Sequence, residues 1–155
     1  MRDKTACFTG HRKIPFEQTE AIKQRLKEAI VDLINNGYCF FGAGGALGFD
    51  TMAAQAVLSL KAQYPHIRLI LVLPCLTQTS HWSDRDKKLY KSIKQQSDKV
   101  VYTSLAYTPG CMYKRNRHLI DNSSVCICYQ MEATGGTAFT VNCARKRGLS
   151  VINLA

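Results

Sequence analysis

The sequence lacks the features that place a protein in a membrane or in an oxidising compartment. No apolar run approaches the roughly 18 residues that a membrane-spanning helix needs. Residues 1–5 lead into a short apolar run, without the hydrophobic region and small-residue cleavage site of a signal peptide. These absences predict a cytoplasmic protein that has no membrane partner.

The seven cysteines have neither the number nor the spacing of a disulfide framework. No C-x-x-C pair occurs, and Cys126 and Cys128 would share one face of a strand, a poor geometry for tetrahedral zinc. Most of the others lie in apolar runs or amphipathic segments, so we expect reduced, buried thiols and no metal site. Cys111 differs because it follows Pro109-Gly110 at a predicted helix start, where a thiolate is favoured.

Acidic residues are scarce: 11 Asp and Glu face 21 Lys and Arg, for a formal net charge of +10. A basic excess favours anionic partners such as nucleotides, nucleic acids or acidic proteins, although scattered lysines also form ordinary solvated surfaces. Much of this excess is local. It falls in the segments 85–94, 114–118 and 145–147.

The chain also lacks internal repeats, low-complexity stretches and linkers rich in Gly, Ser or Pro, so we expect one domain over residues 1–155. Strand and helix patterns alternate instead. The predicted strands are 5–9, 38–41, 67–73, 99–102, 124–129 and 150–154, and the predicted helices are 16–36, 49–62, 83–96, 112–122 and 134–147. This alternation predicts an α/β fold: a three-layer α/β/α sandwich with a mostly parallel sheet of about six strands.

Three strand-to-helix segments carry glycines and polar groups. In open parallel sheets such segments meet outside the carboxyl ends of the strands, where ligands bind. The first is Thr9-Gly10-His11-Arg12, in which Gly10 allows a sharp turn and His11 and Arg12 are well placed for phosphate. The plainer interpretation is a turn glycine followed by a surface arginine.

The second segment, 42–50, has four glycines within seven residues. It is neither a P-loop nor a clean G-x-G-x-x-G fingerprint, but its small residues let a ligand or a neighbouring backbone approach closely. Asp50 begins the next helix, where a carboxylate either interacts with the helix dipole or accepts a hydrogen bond from a ligand hydroxyl.

The third segment, Thr134-Gly135-Gly136-Thr137, places two glycines and a hydroxyl at a helix N-terminus, which suits phosphate and also suits a simple N-cap. The helix at 112–122 adds Arg115 and Asn116 near the same edge. Similar chemistry in several edge segments favours one shared site.

These residues together resemble the SLOG superfamily, the Rossmann-like group that includes DprA/Smf proteins and the LONELY GUY (LOG) phosphoribohydrolases. In length and in its Phe8–Arg12 opening the chain resembles the YpsA/YoqJ-like branch. Residues 44–54 are similar to the G-A-x-G-I-D-x-x-A-H segment of DprA, with Gln55 in place of the histidine. Residues 115–117 are similar to the R-N-R helix of DprA, and residues 112–115 to the start of the M-x-x-R-K pattern of LOG. Gly135-Gly136-Thr137 resembles part of the P-G-G-x-G-T motif of LOG.

The resemblance implies a Rossmann-like domain that binds a nucleotide or another phosphorylated ligand, as a sensor without robust catalysis. It implies no cofactor. The backbone amides would hold phosphate, Arg12 and Arg115 would neutralise charge, and Asp50 would hold a ribose hydroxyl. The predicted ligand-binding set is Gly10, His11, Arg12, Gly44, Gly45, Asp50, Arg115, Asn116, Gly135, Gly136 and Thr137.

Two alternatives stay open. A LOG-like N-glycosidase would cleave a nucleoside phosphate, but residues 138–141 lack the glutamate that LOG enzymes carry after their G-T. Asp50, Glu132 and His11 are the remaining acid–base candidates. A DprA-like binder of single-stranded nucleic acid would use the R-N-R helix, with Tyr107, Tyr113 or Trp82 for stacking. Related domains are often dimers, so a homo-oligomer is a further alternative.

Overall fold

The computed structural model describes residues 1–155 as alternating strands and helices. The strands are β1 (Thr5–Gly10), β2 (Phe40–Ala43), β3 (Arg68–Leu73), β4 (Lys99–Tyr102), β5 (Val125–Tyr129) and β6 (Ser150–Asn153). The helices are α1 (Thr19–Asn35), α2 (Phe49–Leu60), α3 (Asp84–Gln96), α4 (Cys111–Asp121) and α5 (Gly136–Lys146), and 3-10 turns lie at Arg2–Lys4 and Phe16–Gln18. None of the helices combines the length and apolarity that crossing a bilayer requires.

All six strands run parallel, in the order β4-β3-β2-β1-β5-β6. Helices α1, α2 and α3 pack on one face of the sheet, whereas α4 and α5 pack on the other. The predicted Rossmann-like α/β fold with a largely parallel sheet is therefore confirmed. From β1 the sheet extends through β2 and β3 to β4 on one side, and the chain then returns to add β5 and β6 on the other side of β1. The strand order therefore reverses between β1 and β5.

The larger core fills the face under α1, α2 and α3 because these helices present apolar stripes. On α1 the buried residues Ile22, Leu26, Ile30 and Leu33 recur at helical spacing and point to the sheet. Strand β3 is apolar on both faces, as expected for a strand covered by helices on each side.

The smaller core lies under α4 and α5 and contains three cysteines on one face of the sheet. Cys7 and Cys126 are register partners on β1 and β5, and Cys128 follows two residues along. A hydrogen bond with Cys7, together with burial, raises the pKa of the Cys126 thiol well above its usual value, and burial raises that of Cys128 to about 11. These thiols therefore stay protonated and pack as small apolar groups.

Strand β2 begins and ends two residues later than the alternation predicts, so Gly42 and Ala43 belong to the sheet. Gly42 packs closely against α4, since a Cβ atom there would lie 2.9 Å from Leu119 Cδ2. This part of the glycine-rich segment therefore lets a helix approach the sheet closely. The segment that remains between β2 and α2 is 44–48.

Gly10, at the end of β1, has no room for a side chain. A Cβ there would lie 2.5 Å from Cγ and Cδ2 of Phe49, a ring buried in the larger core. We expect Gly10→Ala to lower the free energy of unfolding by about 1–3 kcal/mol, because either the ring or β1 must move. Urea unfolding measures this. Gly136→Ala is the matched control, because its Cβ would meet no atom within 4 Å, and an equal loss in both variants would contradict the packing argument.

Candidate functional site

The site lies where the strand order reverses, at the carboxyl ends of β1 and β5. Adjacent segments leave the sheet in opposite directions there, and a crevice opens between them. One hydrogen bond joins the two segments: the backbone N–H of Met131 donates to His11 Nε2 at 2.8 Å. A neutral His11 ring therefore carries its proton on Nδ1. His11 lies beside the other edge segments, and its Nε2 atom already accepts the hydrogen bond from Met131.

A cavity of about 450 Å³ occupies this crevice, within the usual size range of small-molecule sites. Residues from the segments after β1, β2, β4 and β5 line it. The predicted site residues that it brings together are Gly10, His11, Arg12, Asp50, Arg115, Asn116, Glu132, Gly135, Gly136 and Thr137.

Gly44 and Gly45 do not line this cavity. Gly44 lies beneath it: a Cβ there would lie 2.5 Å from Arg115 Nη1 and 2.9 Å from Asp50 Oδ2. Gly45 has a φ of +76°, and a Cβ there would lie 2.6 Å from Leu73 Cδ2. Gly44 thus lets Arg115 and Asp50 approach each other closely, whereas Gly45 packs against residues that do not line the cavity.

Arg115 is the most deeply placed cation of the site, with only 5% of its surface exposed. It lies on the inner side of α4, where Nη1 donates to the carbonyl oxygen of Gly44 and Nε donates to Asn116 Oδ1 at 2.7 Å. Both acceptors are neutral. Nη2 also has a long contact with the Met112 sulfur at 3.8 Å, and Arg115 is one of the residues that line the cavity.

Asn116 links this arginine to the start of α5. Its Nδ2 donates to Thr140 Oγ1 at 3.0 Å, and that hydroxyl donates to the carbonyl oxygen of Gly136, also at 3.0 Å. Because the chain of hydrogen bonds runs from Arg115 to Gly136, α4 and α5 hold a fixed relation across the cavity. Asn116 therefore positions the arginine as well as lining the site.

Asp50 is the buried carboxyl of the site, 7% exposed in the first turn of α2. Its Oδ2 accepts from the backbone N–H of Ala46 at 3.3 Å. Burial raises the pKa of Asp50 to about 6, against the opposing influence of Arg115, the Ala46 amide and Arg12. Such a value lets the carboxyl gain or lose a proton near neutral pH.

Asp50 and Arg115 do not form a salt bridge, since the four ion pairs of the chain lie elsewhere. Desolvation lowers the pKa of Arg115 just as it raises that of Asp50, so burial outweighs the attraction between the two groups. A guanidinium remains charged even so. The site therefore contains a buried cation that forms no salt bridge, although the Asp50 carboxyl acts on it through space.

The start of α5 adds unpaired donors. Gly135, with a φ of +100°, precedes the helix, and no side chain caps it. The N–H groups of Gly136 and Thr137 have no acceptor in the chain, and they face the segment that ends β1. The helix predicted from Thr134 begins two residues later, at Gly136.

The segment between β4 and α4, together with the first turn of α4, supplies a further wall. Tyr107, Met112 and Tyr113, which the resemblances to DprA and LOG brought forward, line the cavity, and Thr108 and Gly110 line it with them. For Thr108 and Gly110 the sequence showed only a turn before a basic helix, and nothing in that pattern shows that the turn folds over the site. Cys111 also lines the cavity but is 2% exposed, and it has the position at the helix start expected for it.

Asp50 gives a pH dependence to stability. Its pKa in the folded chain, about 6, exceeds the ordinary value of 3.8, so its contribution to stability is full below about pH 4 and is lost as the pH rises through 6. The loss is about 3 kcal/mol at most. We expect Asp50→Asn to resemble the wild type at pH 4 and to be the more stable protein at pH 7.5, as measured by urea unfolding at both values. Parallel stability curves for the two proteins would contradict the burial argument.

Comparisons with known proteins agree with this architecture. A UPF0398 protein of Halalkalibacterium halodurans is 31% identical over 141 residues, which cover 89% of this chain and 72% of the relative. DNA processing protein A from Helicobacter pylori, which binds single-stranded DNA, is similar in structure with a TM-score of 0.66 at 21% identity. DNA processing protein A from Streptococcus pneumoniae is similar with a TM-score of 0.69 at 18% identity.

These structural matches cover 95–96% of this chain, but only 63% of the Helicobacter protein and 49% of the Streptococcus protein. At such identities the likeness shows the fold. The resemblance to SLOG proteins that the motifs predict is confirmed by a family model, which matches residues 7–150. The chain belongs to the YpsA family, the YspA SLOG family.

Proposed function

We propose that the chain binds a nucleotide or another phosphorylated ligand in the cavity between β1 and β5, as a sensor-like domain without robust catalysis. The observation that carries the proposal is Arg115, a buried guanidinium whose oxygen acceptors are neutral and which forms no salt bridge. Buried charges are normally paired, because an unpaired one loses its hydration without compensation. A bound phosphate would supply the missing partner.

The other groups around the cavity suit the same anion. The free N–H groups of Gly136 and Thr137 lie at the positive end of the α5 dipole. Arg12, exposed and free of salt bridges, borders the cavity from the β1 side. Phosphate would bind between these donors and Arg115, and Asp50 would accept a hydrogen bond from a ribose hydroxyl.

Membership of the SLOG group supports a small-molecule ligand. Fold alone does not give function, so the argument rests on Arg115 and its surroundings.

A second candidate is hydrolysis of a nucleoside phosphate at its N-glycosidic bond. The observation that favours it is the presence of two carboxyls in the cavity lining, Asp50 with a pKa of about 6 and the exposed Glu132. A group that titrates near neutral pH can act as a general acid or base. The start of α5, at residues 138–141, carries no acid–base residue. Chromatography of a nucleoside monophosphate incubated with the protein tests this: released base supports hydrolysis, and an intact substrate that binds supports the sensor.

Arg12 provides the sharpest test of phosphate binding because its exposed side chain can be removed without disturbing the core. We expect Arg12→Ala to weaken binding of a nucleoside monophosphate by about tenfold, the value of one charge-assisted contact near the surface. Calorimetric titration and thermal shifts measure it, since a ligand of the native state raises the melting temperature.

Lys13→Ala is the matched control, because Lys13 is the next residue, carries the same charge, is exposed and does not border the cavity. Arg115→Ala should abolish binding, provided that circular dichroism shows it to be folded. If Arg12→Ala and Lys13→Ala weaken binding equally, the ligand senses only overall charge and the cavity is not its site.

A further inference from the structure

A groove with a basic lining adjoins the cavity. On the outer side of α4, between this helix and the end of β4, lies a groove of about 570 Å³. Its lining includes Lys114, Arg117 and His118, which share one face of α4 at spacings of three and four residues. None of these three side chains has a salt bridge or a hydrogen bond within the chain.

The groove has little negative charge to balance these cations. Its one acidic lining residue is Asp121, and Arg147 already pairs with it at 2.7 Å. Lys94 lies close by, with its Nζ 5.1 Å from the centre of the Tyr102 ring that also lines the groove. The groove therefore attracts anions, and the ion pair between Asp121 and Arg147 does not compete for them.

Tyr113 joins the groove to the cavity, since it and Gly110 line both. The Tyr113 ring is 45% exposed, and the Phe139 ring supports it edge-to-face at 4.7 Å between centroids. An exposed aromatic ring that a second ring holds in place is a suitable platform for stacking a base. Trp82, by contrast, packs against Tyr90 at 5.4 Å and lines neither space.

We propose that the ligand is a nucleoside with phosphate on both its 5′ and its 3′ side: one phosphate at Arg115, the base at Tyr113 and the second phosphate at Lys114 and Arg117. This proposal rests on the phosphate site proposed above. We place the base between the two phosphates because Tyr113 lies between the cavity, which would hold the first phosphate, and the groove, which would hold the second. A pyrophosphate-linked nucleotide has both phosphates on the same side of its nucleoside and does not match that order.

Two sources share this chemistry: a free nucleoside 3′,5′-bisphosphate, and the 5′-phosphorylated end of a single strand. Calorimetric titrations with AMP, ADP, adenosine 3′,5′-bisphosphate and the 5′-phosphorylated dinucleotide pApA separate them. We expect the bisphosphate to bind about tenfold more tightly than AMP, the sum of two exposed charge pairs. A further gain with pApA assigns the strand end, and no further gain assigns the free bisphosphate.

The double variant Lys114→Ala/Arg117→Ala should bind the bisphosphate no more tightly than AMP, while its affinity for AMP and ADP stays unchanged. Lys88→Ala/Lys91→Ala is the matched control, because it removes the same charge from exposed positions on α3. That control should preserve the preference for the bisphosphate. Tyr113→Ala should weaken AMP by about tenfold and leave ribose 5-phosphate unaffected, because only AMP stacks.

The second subsite is disproved if the wild-type protein binds AMP and the bisphosphate equally, or if Lys114→Ala/Arg117→Ala weakens both by the same factor. In either case AMP still binds, and the proposed phosphate site stands without the extension. If neither AMP nor the bisphosphate binds the wild-type protein, the proposed function itself fails, and this proposal fails with it.

Discussion

The contact between the Arg115 guanidinium and the Gly44 carbonyl oxygen is the constraint on which the site depends. It ties α4, on one side of the sheet, to the segment that joins β2 to α2. A side chain at position 44 would occupy the space of the guanidinium and of the Asp50 carboxylate, so glycine is required there. Burial at this point leaves a cation whose oxygen acceptors are neutral, at the wall of the cavity.

Two further connections make one site of four separate segments. The His11–Met131 hydrogen bond holds the ends of β1 and β5 together, and the Asn116–Thr140–Gly136 chain holds α4 against α5. These bonds use polar groups that would otherwise be free inside the crevice, and the N–H groups of Gly136 and Thr137 remain without an acceptor in the chain. The fold holds the Arg115 guanidinium and these amides in place, and such preorganisation would lower the cost of binding the proposed anion.

The site differs in character from the core behind it. Its walls are polar segments that follow the strands, whereas the three cysteines under α4 and α5 are buried, and Cys126 and Cys128 have raised pKa values. The similarity to DNA processing protein A extends over nearly the whole chain at low identity, which is the pattern of a shared scaffold. Because a shared fold does not give a shared function, the proposed ligand rests on side chains at one edge of the sheet, such as Arg12, Arg115 and Tyr113.

The sequence by itself determined the α/β/α layers of the fold and the edge of the sheet at which the cavity lies. Helical spacing on α1, the apolar run of β3 and the glycines after each strand are local signals, and local signals suffice for an alternating α/β chain. Most of the predicted site residues do meet in one cavity, because parallel strands bring their carboxyl ends to one edge. Only the tertiary structure decided that Gly44 supports Arg115 from below, that Asp50 is buried without a salt bridge, and that the turn before α4 covers the cavity. Those facts depend on contacts between residues as far apart as 44 and 115, and no local pattern in the sequence records a distance of that kind.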